Sequence, residues 1–204
     1  MVEMICRHKG SIVATWILAS SCLVGAQDKP QQDHPSVNQD SLVIQDFEKR
    51  TNDYVKLRKT AQSGLQVPKS KSSASSIKEY QQSLAQNIRS QRSQARPGDI
   101  FTPPIGEVFR RLLAGTFKSG DGRKVRASLR GAAPVHGLAL QVNEEYPKTS
   151  ALQSTPPTLL SDLPKLPPDL QYRIVGRELV LMDAAANLVI DFLPDALPVP
   201  KNAR

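Results

Sequence analysis

The chain is 204 residues long and carries 27 Lys and Arg against 19 Asp and Glu, a formal charge of +8. Both cysteines, Cys6 and Cys22, fall within residues 1–26, so the remainder can build neither a disulfide framework nor a thiolate metal centre. Aromatics make up only 5 % and prolines number 16, which bounds the fold to one modest core with substantial disordered or extended segments.

The chain opens on Arg7, His8 and Lys9, then runs apolar from Ser11 to Val24, with small residues at Val24, Gly25 and Ala26 before the polar Gln27-Asp28-Lys29. That layout predicts a signal peptide over 1–26, cleaved after Ala26, and therefore an exported chain, periplasmic or secreted. The apolar run falls short of the ~20 residues that cross a bilayer, so no transmembrane segment is expected in the mature chain. The alternative is an anchor, through a lipid on Cys22 or through the uncleaved leader; Ala19-Ser20-Ser21-Cys22 has a lipoprotein signal's small residues but lacks its leucine.

Residues 27–39 are polar and broken by Pro30 and Pro35, a flexible leader. A helical region is expected over 40–130. Asp40 or Ser41 can cap a first helix from Leu42 to about Gln62, with Val43, Phe47, Tyr54, Leu57 and Ala61 at helical spacing. A low-complexity linker follows at about 64–76, rich in Ser and Lys. The second helix, from about Ser76 to Ala95, carries the apolar stripe Ile77, Tyr80, Leu84, Ile88 and Ala95, beside a basic stripe of Arg89, Arg92 and Arg96. Pro97-Gly98 stops it. Thr102 then caps a third helix with Pro103 at its first position, and Ile105, Val108, Phe109, Leu112, Leu113 and Phe117 give it the densest apolar face of this half.

Ser119 to Gly122 reads as a turn, while Lys124 to Leu129 fits helix or strand equally. Residues 131–204 combine a Pro-rich extended segment with a β-meander. Leu138 to Val142 alternates as a strand, and Thr158 to Leu163 allows one helical turn within the proline-rich 147–168. Gln171 to Val175 and Glu178 to Asp183 are β-type runs around Gly176-Arg177, a type II′ hairpin signal, and Leu188 to Leu193 makes a third strand. Helices followed by a small antiparallel β-meander define an α+β fold.

Candidate chemistry is sparse. Ser75-Ser76-Ile77-Lys78, Ser161-Asp162-Leu163 and Lys148-Thr149-Ser150 echo a penicillin-recognising serine enzyme, but lack its Asn and Gly and run in the reverse order. His34 and His136 have no nucleophile elbow to serve, and Asp121-Gly122 lacks the further oxygen ligands of a calcium loop. Asp183, Asp191 and Asp195 sit at strand ends, where turn formation is the commoner role than cation binding. The strongest hint is cationic: Arg89, Arg92 and Arg96, followed by Arg110, Arg111, Lys118, Arg123, Lys124, Arg126 and Arg130. Nucleic-acid readers interleave such patches with free aromatics. Here only Phe101, Phe109 and Phe117 are near, so no nucleic acid is expected as partner. An anionic envelope component or an acidic protein fits the charge better.

The strings Gly98-Asp99-Ile100-Phe101-Thr102-Pro103, Val142-Asn143 with Tyr146-Pro147, Pro156-Pro157-Thr158-Leu159-Leu160, and Tyr172-Arg173-Ile174-Val175-Gly176-Arg177 through Asn187-Leu188-Val189-Ile190-Asp191-Phe192 resemble a group of uncharacterised exported bacterial proteins. The resemblance runs from about Phe47 to Leu197 and implies export without an activity. Leu166-Pro167-Pro168 through Ile190-Asp191 is also similar to the β-ending of RcnB-like periplasmic proteins, which implies a place in nickel and cobalt homeostasis but brings no metal ligands. The expectation is a non-enzymatic binding or structural protein of the periplasm or cell envelope, without cofactor or metal. A metal-homeostasis accessory and an enzyme of unrecognised type are the alternatives.

Overall fold

A computed structural model describes residues 38–131, 139–146 and 155–198. The expected signal peptide over 1–26, most of the expected leader over 27–39, His34 and His136 lie outside them. Four long helices come first: α1 (Gln39–Gln62), α2 (Ala74–Gln91), α3 (Pro103–Lys118) and α4 (Gly122–Gly131). A single-turn α5 (Pro157–Leu160) precedes three strands, β1 (Leu170–Val175), β2 (Glu178–Asp183) and β3 (Leu188–Leu193), in one antiparallel sheet of order β1-β2-β3. This is the expected α+β order.

Local chemistry places the helix ends. Asn38, rather than Asp40 or Ser41, caps α1, its side chain accepting from the Asp40 amide. Ser73 does the same for Ser76, so the low-complexity stretch ends earlier than expected and its last residues are already helical. Thr102 caps α3 through its backbone alone, with Pro103 where no donor is needed. Lys124 to Leu129 is resolved as helix: Val125 is buried and Leu129 half-buried on one side of α4.

Gly176 has φ +60 at the first turn position, as a type II′ hairpin requires, and Val175 pairs with Glu178. The register between β2 and β3 shifts where Leu181 faces Asp191 and Met182 faces Val189, leaving Ile190 as an extra residue. Ile190 and Leu193 consequently both join the helix-facing core, while Val189 and Phe192 join the opposite face. Leu138 to Val142 does not supply a strand: its described residues are irregular, and the chain meets β3 one step later. There Asn143 and Tyr146 donate to the carbonyls of Val189 and Asn187, and Glu145 bridges Leu188.

The helices cover one face of the sheet. Phe47, Phe101, Phe109 and Tyr172 form the centre, with Phe47–Phe109 and Phe101–Phe109 centroids 4.8 and 5.4 Å apart in tilted and edge contacts. The other face, with Val175, Val180, Met182 and Val189, is also buried and takes Tyr146 against it. The meander thus buries both faces.

Candidate functional site

The α1 stripe that faces the sheet contains two polar residues, Thr51 and Arg58, in step with Phe47, Tyr54 and Ala61. Thr51 bonds back to the carbonyls of Phe47 and Glu48. Arg58 instead crosses to β2, where its Nε donates to Asp183 Oδ2 at 2.6 Å and Tyr54 Oη donates to the same oxygen at 2.9 Å. The other Asp183 oxygen accepts from the Ala186 amide and closes the β2–β3 turn. Asp169 and Gln62 take the Arg58 Nη1. Burial works against the Arg58 cation, but Asp183 and Asp169 outweigh it and hold the guanidinium more firmly charged than usual. Burial first, and then Asp183, push the Tyr54 hydroxyl far above its ordinary range, so it serves only as a neutral donor.

Asp191 forms a second anchor. The β3 irregularity turns its carboxylate toward the α2–α3 connection, where Oδ2 accepts from the Ile100 and Phe101 amides at 2.7 and 2.8 Å. Oδ1 accepts from Gly98 and from Phe192. Gly98 has φ +89, which lets that turn aim its amide inward. Burial raises the Asp191 pKa despite these four donors.

The predicted basic stripe meets a third anchor. Asn143, at φ +66, accepts on its carbonyl from Arg89 Nε at 2.7 Å and on its side-chain oxygen from Arg92 Nη1 at 3.0 Å. Its side-chain amide donates to the Arg92 carbonyl, and its backbone amide to Val189. Arg92 also reaches the Ile190 carbonyl and lies 5.2 Å from the Tyr54 ring centroid. Burial lowers its pKa, yet a guanidinium remains charged at any physiological pH. Arg89 adds a looser pair with Glu145. The three arginines therefore do not share one exposed face: Arg89 and Arg92 turn to the sheet edge, and only Arg96 is exposed. Ile77, expected to pack inward with Leu84 and Ile88, is exposed.

Several further predicted cations are engaged. Arg110 donates to the Pro194 carbonyl, Arg111 pairs with Asp40, Lys124 with Asp121, and Arg126 bonds the Phe117 carbonyl. Lys118 and Arg123 are exposed without an ion pair among the described residues, as are Arg96, Lys69, Lys71 and Lys78. Phe101 and Phe109 are core residues, and Phe117 is half-buried.

The strand-end aspartates do not converge on a cation site. Asp183 and Asp191 are the two anchors, Asp195 pairs with Arg177, and no group of three metal-ligating side chains comes together among the described residues. Of the serine-enzyme strings, two fall among the described residues and each bonds elsewhere. Ser75 and Ser76 bond Ser73 on the exposed first turn of α2, Asp162 accepts from Thr116 of α3, and Lys148, Thr149 and Ser150 lie outside the described residues. No helix among the described residues is long and apolar enough to cross a membrane. Arg58 and Thr51 were legible in principle, since both fall at the apolar spacing of α1. The carboxylate of Asp191 amid Val189, Ile190 and Phe192 is a similar signal. Comparison with models of protein families, with curated proteins and with solved structures finds no match.

Proposed function

We propose that this is an exported, non-enzymatic binding or structural protein of the bacterial periplasm or cell envelope, whose cationic exterior meets an anionic envelope surface or an acidic partner. The observation that carries this reading is the division of its charged groups. Arg58, Arg92, Asp183 and Asp191 are consumed in tying helices to sheet. Cations without a described partner are displayed outward, at Lys69, Lys71, Lys78, Arg96, Lys118 and Arg123. A carboxylate whose two oxygens are both occupied, or a guanidinium tied to the sheet, is poorly placed to turn over a substrate, whereas unpaired surface cations attract polyanions at long range. The basic front and apolar run ahead of Ala26 support the address.

Cell fractionation with N-terminal sequencing tests it. The expected product begins at Gln27, sits in the envelope fraction and leaves it on a high-salt wash. An intact Met1 in the cytosol would remove the address, and retention through the salt wash would remove the electrostatic contact.

A further inference from the structure

The α1–α2 hairpin is lopsided. Asn87 Nδ2 donates to the Ala61 carbonyl at 2.8 Å, next to the last residue of α1, and Arg92 lies over Tyr54, so the two helices run antiparallel. From Asn87 back to Ala74, α2 therefore runs on beyond the end of α1, with Tyr80 still packed against the core and residues 74–79 exposed. None of residues 74–83 is buried, and the first buried residue of α2 is Leu84. The connection returning from α1 is held by its own turn, with Lys69 and Ser72 bonded to each other at both backbone and side chain. This arm carries two of the three large exposed hydrophobics among the described residues, Val67 at 57 % and Ile77 at 48 % exposure. Around them stand Lys69, Lys71 and Lys78, all exposed and without ion pairs among the described residues, against the single acid Glu79. The first turn of α2 holds no acidic side chain, so the positive end of the helix dipole adds to the same field.

We infer that this arm is a docking tip for the anionic phospholipid headgroups of a membrane surface, resting on the reading above that the protein contacts anionic envelope components. The lysines meet the headgroup phosphates, and Val67 and Ile77 enter the boundary between headgroups and acyl chains. Charge alone would fit any polyanion, but two exposed aliphatic side chains gain nothing from a soluble one. A nucleic acid would call for an exposed aromatic to stack on, and the arm's sole aromatic, Tyr80, is half-buried against the core.

The test uses the full chain with vesicles of phosphatidylcholine alone or mixed with phosphatidylglycerol, and with soluble polyphosphate. All variants share residues 1–26, so any contribution of that segment is common to them. Lys69→Gln/Lys71→Gln/Lys78→Gln is expected to lose affinity for phosphatidylglycerol vesicles on the order of a hundredfold at low salt. Val67→Ser/Ile77→Ser should lose roughly tenfold, by a factor that added salt leaves unchanged. Lys49→Gln/Lys56→Gln/Lys124→Gln removes as many charges at exposed lysines already paired with Asp53 and Asp121, and should bind nearly as the parent does. Unchanged thermal transitions will show that each variant folds, since the substituted side chains are exposed. If the parent binds anionic vesicles and neither arm variant weakens it, the tip is elsewhere; the inference fails and the broader reading stands. An arm whose lysines matter equally for polyphosphate while the aliphatic pair matters for nothing overturns it too. A parent that does not distinguish the two vesicle compositions refutes both the inference and the reading beneath it.

Discussion

Asp191 illustrates how a single side chain can substitute for many weaker contacts. Its two oxygens satisfy three amides of the turn between Gly98 and Phe101 and one of its own strand, so Asp191→Asn would aim an NH₂ at donors that need an acceptor. The expected cost is about 2–3 kcal/mol in chemical denaturation. Burial holds its folded pKa above the ordinary carboxylate value, so the native state keeps this proton longer than the unfolded chain does. Its contribution to stability therefore falls as pH rises from the unfolded pKa through the folded one, and is level above. Denaturation midpoints across mildly acidic pH should show the parent declining relative to Asp191→Asn; a parallel course would contradict that direction. Asp183→Asn works differently, because it strips the buried Arg58 cation of its closest counter-charge, at an expected cost of about 3–5 kcal/mol. Arg96→Gln, at an exposed position, should stay within about 0.5 kcal/mol of the parent in the same assay.

Among the elements, α1, α3 and the three strands supply most of the buried side chains. Phe47→Ala opens the aromatic centre between α1, α3 and β1 and should cost about 3–5 kcal/mol by equilibrium unfolding. Two glycines separate close approach from idle flexibility. A Cβ on Gly122 would overlap the Phe117 carbonyl, so Gly122→Ala must prise α4 from the end of α3, costing about 1–3 kcal/mol. Gly115 lies on exposed α3 surface with nothing within 4 Å, and Gly115→Ala should add about 0.5–1 kcal/mol through helix propensity. A shared sign for the two changes in thermal melts would refute the contrast. These elements were legible in the sequence where neighbours in the chain decide them. The Gly176-Arg177 turn, the Pro103 helix start and the apolar spacing of α3 are all local signals. What the sequence concealed depends on distant partners. Residues 124–129 become helical by docking Val125 into the core, the extra Ile190 aligns Asp191 with a turn about ninety residues earlier, and residues 143–146 rather than 138–142 meet β3. The arginine stripe was visible, but its direction followed from Asn143, which has no periodicity to betray it.

Across the whole molecule, charge is sorted by depth. Among the described residues, ionic groups within the fold bind helices to sheet, and the cations without an ion pair face outward. Screening acts on these two populations unequally, since exposed charges lose their long-range attraction over a Debye length of about 8 Å at physiological salt while buried pairs are affected far less. One salt series on the parent protein therefore tests the central claim, with affinity for phosphatidylglycerol vesicles and the unfolding free energy followed over the same range of sodium chloride. The account predicts that affinity falls steeply while stability hardly moves. Affinity indifferent to salt, or stability falling in step with it, would contradict the division on which the proposed function rests.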